Sequence, residues 1–244
     1  MRPSLLLVLL ASCGSLADPA PEPPPGRHRV LFVGNSLTYV NDLPAMFAAI
    51  GLAAGDTIVI KTLAYPDWGL QDHWEKGSAP EEIASNSWDF VVMQQGPSSL
   101  EASRIDLLTW AKLFGDLAHL HHACPAFYMV WPAKAYLSSF PAVHDHYKEA
   151  ADSNGGLFLP AGDAWRIAWG KDPRFALYGR DNFHPSELGT YLAALTIYAE
   201  ITGRSPVGNT ATMPGLSVNT LARQALQESA AEAVYGIDRR CGPP

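Results

Sequence analysis

The chain carries little charge and has no excess of positive charge. Charged residues make up 17% of its 244 residues, and 24 acidic side chains outnumber 17 basic ones, giving a formal net charge of −7. Binding to nucleic acid needs a basic surface that neutralises phosphates, and no face of the sequence is visibly rich in lysine or arginine. We therefore expect no nucleic-acid partner.

Low-complexity sequence and internal repeats are also missing, apart from a proline-rich stretch close to the start. Hydrophobic residues make up 48% of the chain. A chain of this length and composition can bury a sizeable core, and a single domain is the expected organisation.

The histidines are poorly spaced for a metal site. His119, His121 and His122 fall near the end of one predicted helix, and His144 and His146 fall on another. Side chains at i and i+2 of a helix point in different directions, so neither set can surround an ion. We expect no bound metal.

The first residues are typical of an export signal. A single positive charge at Arg2 precedes an apolar run, Leu5 to Ala11. A run of about seven apolar residues is too short to span a bilayer and fits the hydrophobic region of a signal peptide. The pattern therefore predicts a signal peptide over residues 1–12.

The residues Leu10-Ala11-Ser12-Cys13 resemble the lipobox of bacterial lipoproteins, in which cleavage leaves the cysteine for lipid attachment. This interpretation predicts lipidation at Cys13 and a protein anchored to a membrane in the periplasm or at the outer membrane. Cleavage after Ala17, in the small-x-small pattern Ser15-Leu16-Ala17, is the alternative. It would give a secreted protein.

Residues 13–28 are predicted to form a tether to a single domain over residues 29–240. The stretch Asp-Pro-Ala-Pro-Glu-Pro-Pro-Pro-Gly at 18–26 favours a stiff, extended spacer that cannot pair in a sheet. If Cys13 is lipidated, Cys124 and Cys241 remain. An oxidising compartment would allow them to form a disulfide. The alternative is two unpaired cysteines, one buried and one on a tail.

Short apolar runs alternate with helical patterns along the domain. Strands are predicted at Val30 to Val33, Thr57 to Thr62, Phe90 to Met93, Ala126 to Trp131 and Leu157 to Pro160. Helices are predicted after Asp42, over Ser103 to His121, Phe140 to Ser153, Glu187 to Ile201 and Val218 to Val234. A strand followed by a helix, repeated about five times, predicts a parallel sheet with helices on both faces.

Residues able to do chemistry follow directly after the predicted strands. Ser36, Gly69, the pair Gln94-Gln95 and Trp131 all lie just beyond strand ends. Because open parallel sheets place their sites at the carboxyl ends of the strands, we expect these residues to meet at one edge.

Two short motifs carry the strongest signal. Ser36, in Gly34-Asn35-Ser36, lies between the first strand and the first helix, and a serine hydroxyl needs a neighbouring base to become a nucleophile. The motif Asp181-Asn182-Phe183-His184 supplies an imidazole whose tautomer the carboxylate can fix. Each motif alone also fits a turn or a helix cap. Together, in this order, they favour an acyl-transfer site.

Gly34-Asn35-Ser36 and Asp181-Asn182-Phe183-His184 resemble the first and last sequence blocks of the SGNH (GDSL-like) hydrolases. The resemblance implies a flavodoxin-like, three-layer α/β/α fold around a mainly parallel five-stranded sheet. It also implies ester hydrolysis without a cofactor. Ser36 would be the nucleophile, His184 the base and Asp181 the residue that orients the base.

The resemblance further implies an oxyanion hole formed by backbone N–H groups and one side-chain amide. The backbone donors would be Ser36 and Gly69. The family usually supplies an asparagine after the third strand, whereas this sequence has Gln94 and Gln95 there. A glutamine has the same donor on a longer arm, so either residue is a candidate.

Aromatic residues cluster in the predicted loops at the strand ends, where they can wall a cleft or pack in the core. They suit stacking on a sugar ring or packing on an acyl chain. The residues expected to contact substrate are Tyr39, Trp68, His73 and Trp131, with Tyr65 and Trp74 also near the rim.

The sequence therefore predicts an exported serine esterase acting on an acylated carbohydrate or another small ester of the cell envelope. The alternative is a surface binding lipoprotein that keeps the fold with little or no turnover, which the missing asparagine of the third block suggests.

Overall fold

The computed structural model describes residues 22–213, 215–239 and 241–242. The predicted signal peptide over residues 1–12, the predicted lipidation site at Cys13 and most of the predicted tether lie outside these ranges. Within the described residues, no helix has the length and apolar content that crossing a membrane requires.

A five-stranded parallel sheet forms the centre of the structure. Its strands are β1 (Arg27–Gly34), β2 (Thr57–Ala64), β3 (Phe90–Met93), β4 (Cys124–Tyr128) and β5 (Leu157–Leu159), in the order β2-β1-β3-β4-β5. Val30 and Val33 of the central strand β1 are completely buried. Strand order reverses at β1, because its neighbours β2 and β3 both follow it in sequence. Parallel sheets of this kind form a crevice at the carboxyl ends of such strands.

Helices cover both faces of the sheet. They are α1 (Ser36–Tyr39), α2 (Leu43–Ala53), α3 (Leu70–Glu75), α4 (Ala79–Ser85), α5 (Glu101–Leu120), α6 (Phe140–Ser153), α7 (Ala161–Lys171), α8 (Glu187–Thr202) and α9 (Thr220–Ala233). Helices α2, α7, α8 and α9 pack together on one side, and α3 to α6 pack together on the other. The predicted three-layer α/β/α fold is confirmed.

The boundaries of several elements differ from prediction. Strand β1 begins at Arg27, inside the predicted tether, because Arg27 and His28 pair with Thr57 and Ile58 of β2. Helices α1, α3, α4 and α7 were not predicted. The first three span four, six and seven residues, too few for a hydrophobic period to be recognised.

A disulfide ties the end of the chain to the sheet. Cys124, the first residue of β4, is bonded to Cys241 in the segment after α9, across 117 residues of sequence. The next residue, Gly242, donates its N–H to the carbonyl of Gly155 at 3.1 Å. Both contacts lie at the amino ends of the strands, far from the edge that carries Ser36.

Cys241→Ser is expected to lower the free energy of unfolding by about 2–4 kcal/mol, because a cross-link over so long a loop restricts the unfolded chain. Urea unfolding under non-reducing conditions measures the change. The double variant Cys124→Ser/Cys241→Ser should lose about the same amount. A single variant as stable as the parent protein would show that the bond contributes nothing.

Candidate active site

Ser36 occupies the turn between β1 and α1. Asn35 caps α1 by accepting a hydrogen bond from the N–H of Leu37 (3.1 Å), which makes Ser36 the first helical residue. Glycine is required at position 34, directly before Asn35. A Cβ there would lie 2.4 Å from Thr38 Oγ1 and 2.6 Å from Gln94 Oε1, closer than atoms can approach. The crowding around Gly34 fixes where the turn places the Ser36 hydroxyl.

His184 lies in the loop between α7 and α8. The Asp181 carboxylate accepts hydrogen bonds from the backbone N–H groups of Phe183 and His184, both at 3.0 Å. Asn182 adopts a left-handed conformation with φ of 60°, which asparagine tolerates better than most residues. This tight turn brings the Asp181 carboxylate beside the His184 ring.

The two motifs meet at the carboxyl edge of the sheet. His184 Nε2 lies 2.9 Å from Ser36 Oγ, and His184 Nδ1 lies 2.5 Å from Asp181 Oδ2. The hydrogen bond from His184, together with those from the backbone, lowers the pKa of Asp181 to about 2. Asp181 is therefore ionised throughout the neutral range, although half of its side chain is exposed. This arrangement can deprotonate the serine hydroxyl.

Asn41 joins the two halves of the site. Its Nδ2 donates to the Pro185 carbonyl at 3.0 Å and to Thr190 Oγ1 at 2.9 Å, linking the segment after Ser36 to the start of α8. Asn41 itself has a φ of 56°. Sequence reasoning missed it. Its only local signal is an Asn-Asp pair before the Leu-Pro that begins α2.

An open cavity of about 400 Å³ lies beside Ser36. Trp68, Gly69 and Phe183 line it together with Asn35 and Gln95, so the predicted aromatic wall is present at Trp68. Two carboxylates, those of Asp67 and Asp106, also line the cavity.

Gln94 does not line this cavity, which corrects its expected role as an oxyanion donor. Its Oε1 accepts from the Asn35 N–H (3.0 Å) and Thr38 Oγ1 (2.7 Å). Its Nε2 donates to Asn35 Oδ1 (3.0 Å) and to the carbonyl of Gln95. The side chain is buried and all its hydrogen bonds stay within the protein. Gln94 therefore holds the turn that carries Ser36.

Gln95 and Gly69 line the cavity, but their donors are occupied. Gln95 Nε2 donates to Ser98 Oγ and Asp106 Oδ2, both at 3.1 Å. The Gly69 N–H donates to Asp72 Oδ2 at 3.0 Å. Among the expected donors, the Ser36 N–H is the one for which the described residues supply no partner.

The other residues expected to contact substrate lie elsewhere. Trp131 is completely buried and stacked on Trp165 with ring centroids 3.7 Å apart, and it donates to the Phe183 carbonyl at 3.0 Å. It therefore supports the histidine loop from the core. Tyr39 is exposed, and it is not part of the cavity wall.

His73 is also buried behind the cavity. Its Nε2 donates to the Gly34 carbonyl at 2.7 Å, and burial lowers the pKa of the imidazole. Trp68 packs against its edge with ring centroids 5.1 Å apart. His73 therefore anchors the end of β1 instead of contacting a ligand.

The histidines of α5 and α6 form contacts within the protein. Within the described residues, no three histidine, cysteine or acidic side chains come close enough to hold an ion. His119 and His146 each bond to a backbone carbonyl, and His144 pairs with Asp163 at 2.6 Å.

The fold matches those of several solved proteins. A DUF4886 family protein from Bacteroides uniformis matches with a TM-score of 0.74 and 18% identity, over 89% of this chain and 98% of the other. A protein from Slackia heliotrinireducens assigned to the SGNH hydrolases gives 0.60 and 25%, over 73% and 100%. A variant of an acetyl-xylooligosaccharide esterase from Geobacillus gives 0.52 and 14%, over 69% and 92%.

The predicted resemblance is therefore confirmed at the level of the structure. The structural neighbours are SGNH and GDSL-like hydrolases, lipases and esterases, and the chain has the SGNH hydrolase fold. No protein-family model matches the sequence, and no curated protein matches it either.

Asn41→Ala should slow the reaction of Ser36 with a fluorophosphonate about tenfold, because losing both hydrogen bonds loosens the alignment of the serine and histidine. The rate of covalent labelling, followed by mass spectrometry, measures this. Asn86→Ala is the matched control, since the Asn86 amide bonds only to Glu82, one helical turn earlier. Equal rates for Asn41→Ala and the parent protein would rule out this positioning role.

Proposed function

We propose that the protein is a serine esterase that hydrolyses a carboxylic ester through an acyl-enzyme. The observation that carries the proposal is the Ser36–His184–Asp181 arrangement, with contacts of 2.9 Å and 2.5 Å, in which Ser36 lines an open cavity. The residues converge from opposite ends of the domain. If Ser36 served only in a turn and Asp181 and His184 served only to cap a helix, nothing would require the Ser36 hydroxyl to lie within hydrogen-bonding distance of the His184 imidazole.

In the first half of the proposed reaction, Ser36 Oγ attacks the ester carbonyl while His184 Nε2 takes the hydroxyl proton. The tetrahedral intermediate then collapses, the bond to the alcohol breaks, and His184 passes the proton to the departing oxygen. In the second half, His184 takes a proton from a water that attacks the acyl-serine. The bond between the acyl carbon and Ser36 Oγ then breaks, the carboxylic acid leaves, and His184 returns the proton to Ser36 Oγ. The Asp181 carboxylate holds the Nδ1 proton of His184 and stabilises the imidazolium that forms twice per cycle.

The negative oxygen of the intermediate needs donors at the cavity wall. The Ser36 N–H supplies one. The Asn35 amide is our candidate for the second, because Asn35 lines the cavity and its Nδ2, which carries two hydrogens, makes one hydrogen bond among the described residues, to the Trp68 carbonyl at 2.9 Å. Asn35 stands where the family commonly has aspartate, so this donor would replace the missing asparagine of the third block. The Gly69 N–H can contribute if Asp72 releases it.

The cavity favours a small, uncharged acyl group. Its volume is about 400 Å³, and Asp67 and Asp106 on its wall would repel an acyl group that carries a negative charge. Trp68 offers an aromatic surface for a sugar or a short chain. The structural similarity to an acetyl-xylooligosaccharide esterase supports an acylated carbohydrate as the substrate class.

We further propose that the protein acts outside the cytoplasm, anchored through lipid at Cys13 or secreted after ordinary cleavage. The Cys124–Cys241 disulfide supports this location, because such bonds persist in oxidising compartments.

A second function, binding without useful turnover, is favoured by one observation. The Gly69 N–H and the amide hydrogens of Gln94 and Gln95 are all committed to partners within the protein. An oxyanion hole that is short of donors would slow acyl transfer.

Ser36→Ala distinguishes the two functions. We expect the domain beginning at Arg27 to hydrolyse 4-nitrophenyl acetate, and we expect kcat to fall at least 10³-fold in Ser36→Ala because the acyl acceptor is lost. Release of 4-nitrophenolate measures this. Ser98→Ala removes a hydroxyl from the same cavity and should retain most of the activity. Equal rates for the parent protein and Ser36→Ala would favour the binding function.

Asp181→Asn is expected to lower kcat about 10²-fold or more at every pH between 5 and 8, because the neutral amide neither fixes the imidazole tautomer nor stabilises its charge. The pKa of Asp181 lies below its ordinary value of 3.8, so the stability it contributes is complete above about pH 4. That contribution disappears as the pH falls through about 2. Protonation of Asp181 should therefore add no step to the pH profile of kcat in this window.

The matched control is Asp163→Asn, which breaks a similar carboxylate–histidine pair, with His144, outside the cavity. Its pH profile should follow that of the parent protein. An Asp181→Asn profile that also coincided with the parent profile would show that Asp181 does not orient His184.

A further inference from the structure

A second cavity lies against the loop that carries His184. Its volume is about 560 Å³, larger than the cavity of Ser36. Three aromatic side chains line it, those of Trp169, Phe175 and Tyr178, together with two cationic ones, Lys134 and Arg180. We call this cavity the aromatic groove.

One loop separates the aromatic groove from the site. Gly179, Arg180 and Asn182 line the groove, whereas Phe183, the next residue, lines the cavity of Ser36. The Lys134 N–H donates to the Asn182 carbonyl at 2.9 Å, which fixes the groove wall to the turn that holds Asp181. A ligand longer than one sugar unit could therefore contact both cavities across this loop.

The two cations of the groove are not neutralised by the protein. Lys134 and Arg180 are exposed, and neither side chain forms an ion pair or hydrogen bond with the rest of the described chain. In contrast, Arg174, in the same loop as Arg180, forms an ion pair with Asp172. Two unpaired cations that line one cavity favour a ligand with a negative charge.

The aromatic side chains present ring surface instead of polar atoms. The Trp169 N–H donates to the Phe175 carbonyl at 2.9 Å, and the Tyr178 hydroxyl donates to the Pro132 carbonyl. The two rings lie side by side, with centroids 5.7 Å apart and planes inclined by 31°. With their polar atoms occupied, the exposed parts of these rings can pack against the apolar face of a sugar.

We propose that the aromatic groove binds an acidic sugar unit, a uronic acid, in the alcohol part of the ester. This inference rests on the proposed function, in which His184 gives its proton to the leaving alcohol. The alcohol must therefore lie on the His184 side of Ser36, where the loop and the groove are. The carboxylate would pair with Lys134 and Arg180, and the ring would lie on Trp169 and Tyr178.

The charges of the two cavities agree with this orientation. Asp67 and Asp106 at the Ser36 cavity disfavour an anion there, whereas Lys134 and Arg180 at the groove favour one. A neutral sugar would leave both cations without a counterion, and an inorganic phosphate would leave the aromatic surface uncovered. An acidic sugar uses both features.

The test measures binding separately from turnover. In the Ser36→Ala background, calorimetry with penta-galacturonate should show binding, and xylopentaose should bind at least tenfold more weakly. Adding Lys134→Ala and Arg180→Ala should weaken binding of penta-galacturonate at least tenfold. Raising the salt from 50 to 300 mM should also weaken it, because exposed charges are screened.

Arg27→Ala with Lys112→Ala is the matched control, since it removes the same two charges from exposed positions away from the groove. It should leave binding of penta-galacturonate unchanged. If neither oligosaccharide binds, if both bind equally, or if the groove variant binds as well as the control, the groove is not a uronic-acid site.

Turnover then separates this inference from the proposed function. Lys134→Ala/Arg180→Ala should keep its rate on 4-nitrophenyl acetate and lose at least tenfold in kcat/KM on acetylated oligogalacturonate. If binding depends on Lys134 and Arg180 but the protein hydrolyses no ester, the proposed esterase function is wrong and the groove assignment is still supported. Equal losses on both esters would contradict the groove's role in selecting the alcohol.

Discussion

The hydrogen bond between Ser36 Oγ and His184 Nε2 joins groups 148 residues apart, and much of the surrounding structure serves to hold it. On the serine side, Gln94 and His73 fix the end of β1 and the turn that follows. On the histidine side, Trp131 donates to the carbonyl of Phe183 from the core. Asn41 then connects the two sides. The alignment therefore depends on buried polar contacts at the sheet edge as well as on the two motifs themselves.

The sequence predicted most of the sheet because parallel strands are buried on both faces and appear as continuous apolar runs. Strand β3 was located at its observed residues, Phe90–Met93. Helix α7 was missed because it begins at Ala161, with one residue between it and the end of β5 at Leu159, so the sequence has no loop signal between the strand and the helix apart from Pro160. Strand β1 was predicted too short, because the polar residues Arg27 and His28 belong to it only through pairing with β2.

At the site, local motifs located the serine, histidine and aspartate, but sequence could not assign the residues between them. The two glutamines are adjacent, yet Gln94 is enclosed by Asn35 and Thr38, more than fifty positions earlier, whereas Gln95 lines the cavity. Trp131 and His73 follow the same pattern, since their roles depend on partners distant in sequence. Contacts between residues so far apart in the chain produce no periodicity or motif spacing, so they cannot be recognised from a single sequence.

The cross-link between Cys124 and Cys241 has a consequence for biosynthesis. Its second cysteine comes after β5 and the helices α7, α8 and α9, so the bond cannot close until all of these elements have been synthesised. Until then, Cys124 at the start of β4 lacks the cysteine with which it pairs. Formation of the disulfide is therefore a late step, which follows synthesis of all five strands of the sheet.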